Sequence, residues 1–119
     1  MNGYRAGQSD RRPWGSWTVI AAGPRFAAKE ITVRPGASLS LQRHRWRDEH
    51  WIVVQGVAEV TLGDATRSLA ENGALFIPAG ALHRLANKGP DELVIIEIQY
   101  GDRLEESDIE RFEDLYGRS

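Results

Sequence analysis

Residues 42–51 read QRHRWRDEHW, a stretch that holds two of the chain's three histidines, three arginines, two acids and two tryptophans. In an extended strand successive side chains point to opposite faces, so Gln42 and His44 share one face while Arg43 and Arg45 share the other. Glu49 follows after a tight excursion and opens a second run, HWIVVQG. If the two strands pair, Glu49 returns beside His44. The stretch therefore reads as strand, turn and strand, with polar side chains converging from both arms.

The pattern continues outward in both directions. Short apolar segments follow one another as WTVIA, FAAKEITV, SLSLQ, HWIVVQ, VAEVTL, TRSLA, ALFIP, HRLAN and ELVIIEIQ. Between them stand Gly23-Pro24, Pro35-Gly36, Gly56, Gly63-Asp64, Asn72-Gly73, Pro78-Ala79-Gly80 and Gly89-Pro90, residues that set or tolerate turn dihedrals. Strands this short and this regularly spaced predict an all-β sandwich or barrel. Residues 1–11 are polar and read as a flexible arm, leaving 12–119 as one domain. At the other end Ser107-Asp108-Ile109-Glu110 has the form of a capping box, with Glu105 and Glu106 suited to a helix N-terminus, and Ile109, Phe112 and Tyr116 recur at helical spacing, which predicts a short C-terminal helix.

The bulk composition narrows the function classes. With 119 residues the chain suits one domain. A formal net charge of −2 gives no global attraction for nucleic acid or anionic membrane, and neither is expected as a partner. No apolar run approaches the roughly 20 residues of a membrane span, and the start lacks the apolar core of a secretory signal. The absence of cysteine excludes thiolate metal sites and disulfides, which fits a cytoplasmic location.

Any metal must then be held by nitrogen and oxygen. His83 begins a further short strand after Pro78-Ala79-Gly80. With Gln42, His44 and Glu49 it offers an amide oxygen, two imidazoles and one carboxylate, a set suited to zinc, iron(II), manganese, cobalt or nickel, with zinc first. On ligand type alone, a solvated and charged strand end is the competing reading.

The spacing goes further. Gly36, five residues, Gln42-x-His44, four residues, Glu49, six residues and Gly56 closely resembles the first cupin motif. Gly73 and Pro78-x-Gly80-x-x-His83-x-x-x-Asn87 resemble the second, one residue short in the first gap. Glutamine at position 42, where many cupins have histidine, is similar to the type II phosphomannose isomerases, the cupin domain usually fused behind a mannose-1-phosphate guanylyltransferase. RPWGSW, EHWIVVQGVAEV, IPAGALHRLAN and SDIERFEDLYGR carry that resemblance along nearly the whole chain. Trp17 and Trp46 depart from its common pattern. No Gly-rich nucleotide loop is present, so guanylyl transfer is not expected.

The resemblance implies a cupin barrel and interconversion of mannose 6-phosphate and fructose 6-phosphate through an enediol(ate), with Gln42, His44, Glu49 and His83 as metal ligands. It implies a sugar phosphate as the small-molecule partner and a homodimer as the assembly. Arg47 matches a family arginine and is expected to contact phosphate or stabilise charge. Arg12 and Lys29 also match family positions, and Lys29 shares strand parity with Ile31 and Val33, pointing inward. Glu97 interrupts the apolar run 93–98 and is expected either to relay the proton or to pair with Lys29. Arg84, next to His83, is expected to contact substrate or to cap its strand. His50 should point away from the metal. Trp14, Trp46 and Trp51 are read as core or as a floor for a sugar. The general base is not assigned. A non-catalytic sugar-binding cupin and a different metal-dependent cupin enzyme, such as a dioxygenase, are the rival readings.

Overall fold

The computed structural model describes residues 2–113. Eleven strands run in chain order: β1 (Ser9–Arg12), β2 (Gly15–Gly23), β3 (Phe26–Val33), β4 (Leu41–Arg43), β5 (Asp48–Gln55), β6 (Ala58–Leu62), β7 (Ala65–Leu69), β8 (Ala74–Ile77), β9 (His83–Ala86), β10 (Leu93–Tyr100) and β11 (Glu110–Glu113). They form a six-stranded sheet, β1-β2-β3-β10-β5-β8, and a five-stranded sheet, β11-β4-β9-β6-β7. Every pairing between these strands is antiparallel. Among the described residues no helix is long and apolar enough to cross a membrane.

The core forms where the inward faces meet. Val19, Ile31, Val33, Val53 and Ile95 of the larger sheet face Val60, Leu69 and Leu85 of the smaller, all buried. Alternation is clearest in β10, where Leu93, Ile95, Glu97 and Gln99 are buried and Val94, Ile96 and Ile98 only half-buried. Toward one end of the barrel the inward positions turn polar. Lys29 lies across from Glu97, Gln99 across from Glu49, and Gln42 across from His83. Cross-strand partners share a face, so the register delivers these side chains to one end.

Two turns fix that end. Pro35-Gly36 takes the Pro-then-Gly form of a type II turn, with Gly36 at φ +79°. Gly80 adopts φ +86°, and its N–H donates to the His44 carbonyl at 2.8 Å, tying the turn before His83 to the end of β4.

The C-terminal helix expected from Ser107 onward is not formed in the described residues. Residues 110–113 are β11, with Glu110 opposite Arg43 and Arg111 opposite Gln42; Tyr116 lies outside the described residues. The capping-box residues bond elsewhere. Ser107 Oγ donates to Glu105 Oε1 at 2.8 Å, and the Asp108 carboxylate accepts from the backbone N–H groups of Arg45 and Trp46 at 2.8 and 2.9 Å. Pairing with a sheet edge supplied partners that an isolated helical turn lacks. Residues 2–11, expected as a free arm, are folded onto the barrel. Ser9–Arg12 pair with β2, Tyr4 is buried, and Gly3 N–H donates to the Leu104 carbonyl at 2.7 Å.

Candidate metal centre

Gln42 and His44 come from the end of β4, His83 from the start of β9, and Glu49 from β5 on the facing sheet. All four are buried. One donor atom from each of His44, Glu49 and His83 lies within 4.8 Å of the others. His44 Nε2 is 3.2 Å from Glu49 Oε2, and His83 Nε2 is 3.8 Å from Glu49 Oε1. Donors bound to one tetrahedral zinc stand about 3.4 Å apart, so these spacings fit a shared ion.

The second nitrogen of each ring supports the same reading. His44 Nδ1 lies 2.7 Å from the Asp108 carbonyl and His83 Nδ1 3.0 Å from the Ala81 carbonyl. A carbonyl oxygen only accepts, so both protons reside on Nδ1 and the Nε2 lone pairs are left for a cation. Burial, then Arg47 and His83, lowers the His44 pKa to about 3, which keeps the ring neutral. Gln42 directs its amide N–H to Ser40, at 3.1 Å from Oγ, leaving the amide oxygen as the end able to bind a cation. The set fits a divalent ion.

Behind the ligands lies a paired charge network. Arg47 donates through Nε to Glu49 Oε2 at 2.9 Å and through Nη1 to the Glu105 carbonyl at 3.3 Å. Its Nη2 faces the His44 Nε2 lone pair at 3.3 Å, a contact an ion would replace. Burial opposes the Arg47 charge, but Glu49 and Glu97 outweigh it and raise the pKa above its usual value. Trp51 Nε1 bridges the carboxylates, 3.0 Å from Glu49 Oε1 and 3.2 Å from Glu97 Oε2. Burial pushes the Glu49 pKa up, yet Arg47 and His83 bring it below normal, whereas burial and Glu49 together raise that of Glu97. Glu97 is thus the member of the pair that favours its proton, and it accepts from Gln99 Nε2 at 2.8 Å.

A cavity of about 60 Å³ adjoins the centre, lined by Gln42, His44, Arg47 and Glu97 on one side and by Arg12, Trp17, Lys29 and Glu106 on the other. Lys29 is buried, as its parity predicts, but its ion-pair partner is Glu106, at 2.6 Å, rather than Glu97. Its Nζ also sits 4.2 Å from the centre of the Trp17 ring and 4.4 Å from that of Tyr4. Burial raises the Glu106 pKa, but Lys29 and the hydrogen bonds from Lys29 and Tyr4 bring it down to about 2. Arg12 lies 3.5 Å from Glu106 and 2.5 Å from Asp10.

The structure thus gathers Gln42, His44, Glu49 and His83, with Lys29, Arg47, Glu97 and Arg12 around the same space. It does not bring Arg84 there. That side chain takes the opposite face of β9 from His83 and pairs with Glu113 at 2.6 Å. Arg47 is buried against Glu49 rather than placed as a free phosphate contact. His50 packs on Phe76 on the outer face, and Trp14 is in the core. Three participants were missed. Asp108 and Glu106 read as helix-cap residues, and Tyr4 as part of an arm; their roles depend on the loop between β10 and β11 closing over the barrel end, which no local pattern encodes.

Comparison with known proteins places this geometry. Residues 2–114 match the family model described as Mannose-6-phosphate isomerase C-terminal. The chain is 56% identical over 108 residues to the alginate biosynthesis protein AlgA of Pseudomonas aeruginosa, covering 91% of this chain and 22% of that protein. It is 47% identical over 115 residues to the mannose-1-phosphate guanylyltransferase of Escherichia coli, covering 97% of this chain and 24% of that protein. The chain therefore spans less than a quarter of the length of these relatives. A protein with a double-stranded β-helix domain from Klebsiella pneumoniae superposes with a TM-score of 0.72 at 17% identity, covering 93% of this chain and 84% of that one, which supports the cupin architecture. With its fold, its buried polar end and its sequence in agreement, this chain belongs to the Mannose-6-phosphate isomerase C-terminal family.

Proposed function

We propose that the chain is a metal-dependent isomerase interconverting mannose 6-phosphate and fructose 6-phosphate by proton transfer through an enediol(ate). The observation that carries this reading is the convergence of His44, Glu49 and His83 within 4.8 Å, in a chain of this family. Bound by these residues and Gln42, a divalent ion, zinc first, would supply positive charge to polarise a carbonyl and steady the negative charge that develops on oxygen. Arg47 holds Glu49 in place and stabilises charge nearby. Glu97 lines the cavity and favours its proton, so it is the candidate acid and base for the carbon-bound proton. Lys29 and Arg12, gathered by Glu106, add positive charge to the opposite wall. A cytoplasmic homodimer acting on a small sugar phosphate, with no nucleic acid or membrane partner, belongs to the same proposal.

The test pairs metal analysis of freshly purified protein with a coupled assay for fructose 6-phosphate. Turnover that requires metal and is lost in His44→Ala and Glu49→Ala supports the reading. Metal-loaded protein that binds mannose 6-phosphate without converting it refutes catalysis.

A further inference from the structure

The inner cavity, at about 60 Å³, falls well below the usual volume of a small-molecule site. The reacting end of a hexose phosphate can reach into it, but most of the molecule must lie outside. The cations expected around the substrate are also engaged. Arg47 is held by Glu49, Lys29 and Arg12 share Glu106, and Arg84 lies on the wrong face of β9.

A second cavity, of about 700 Å³, opens beside the first, and the two share His44 and Ile109 in their walls. Its size falls within the usual range for small-molecule sites. Arg45, Trp46 and Arg103 line it. Trp46 is 45% exposed, and the two guanidinium carbons lie 5.2 Å (Arg45) and 5.1 Å (Arg103) from the centre of its ring. Arg103 has Glu105 nearby at 3.4 Å. The platform is not loose on the surface. Asp108 fixes the backbone N–H groups of Arg45 and Trp46 with its carboxylate, while its carbonyl accepts from His44 Nδ1. One residue thus sets both a metal ligand and the outer wall.

We infer that Arg45 and Arg103 hold the phosphoryl group of the substrate, with Trp46 as an aromatic face against its carbon chain. This inference rests on the sugar-phosphate reading above. Guanidinium groups suit phosphate because their planar donor forks meet two oxygens at once. Both arginines are exposed, so their replacement leaves the folded core intact.

The experiment compares metal-loaded wild type with Arg45→Gln, Arg103→Gln and the double variant. Calorimetric binding of mannose 6-phosphate, mannose and inorganic phosphate is measured alongside steady-state turnover and metal content. Loss of charge-assisted hydrogen bonds is expected to weaken mannose 6-phosphate binding, or raise its KM, about tenfold or more in the double variant. Metal content and mannose binding should stay within about twofold of wild type. Double-variant affinity for mannose 6-phosphate equal to wild type would overturn the inference, whether or not the protein turns over. Weakened binding in a protein that never produces fructose 6-phosphate would sustain this subsite while removing the isomerase assignment. Wild type that binds no mannose 6-phosphate would remove both.

Discussion

The imidazole of His44 and the backbone carbonyl of Asp108 are joined by a 2.7 Å hydrogen bond across 64 residues of sequence. This bond selects the tautomer of His44, and the Asp108 side chain simultaneously anchors residues 45 and 46. The loop that follows β10 is therefore part of the candidate metal centre's support. Groups of this kind orient the ligand they touch without touching the ion.

Asp108→Ala should therefore loosen the loop and weaken metal binding. The variant keeps the backbone carbonyl that His44 uses but loses the carboxylate that fixes residues 45 and 46, so the fall in affinity should lie at or below the low end of the about 10–100-fold typical when an outer partner of a metal-ligating histidine is removed. Competition with a chelating dye measures it. Affinity equal to that of wild type would show that the loop does not hold His44.

Removing either ligand of the pair His44 and Glu49 should abolish metal binding, but the metal-free variants should differ in stability. Glu49→Ala leaves the Arg47 guanidinium buried without its carboxylate, and breaking one side of a buried pair costs about 3–5 kcal/mol. His44→Ala instead removes a neutral ring. Denaturant unfolding in chelator should place Glu49→Ala well below His44→Ala, and equal midpoints would contradict the buried pair.

The strands and the side chains that converge at the barrel end were legible because each is written locally. The nine apolar segments from WTVIA to ELVIIEIQ fall within β2 to β10 or overlap them, and parity placed Lys29 indoors. Gln42, His44, Glu49 and His83 were legible through spacing between turn glycines. What failed was partner choice. Lys29 and Glu97 do face each other in register, yet Lys29 binds Glu106, because a loop carboxylate closes over the barrel end. The pattern at Ser107–Glu110 suits a helix start, but the open edge of β4 offers β11 a ladder. Both errors concern the same loop and the same reason: long-range pairing overrode a local preference.

That loop carboxylate should leave a mark on the pH dependence of stability. The Glu106 pKa is lowered from 4.5 to about 2 on folding. A depressed carboxylate contributes stability that is fully present above its unfolded pKa and is lost as pH falls through the folded one. The stability difference between wild type and Glu106→Gln should therefore be largest above pH 4.5 and shrink toward pH 2. A difference that stays constant across this interval would mean that Glu106 is not held by Lys29.

Trp51 offers the last test, because its single N–H faces two carboxylates. Trp51→Phe keeps a ring against His83, whose centroid lies 5.6 Å away, but removes the donor shared by Glu49 and Glu97. Both side chains are buried, and Glu49, the one that Arg47 holds ionised, loses a hydrogen bond to a charged group, worth about 1.5–3 kcal/mol. The variant should unfold at lower denaturant by that amount. Because the donor is neutral, the loss should change little with salt, whereas Arg47→Met should be destabilised through charge. A Trp51→Phe protein as stable as wild type would mean that Gln99 and Arg47 alone satisfy the pair.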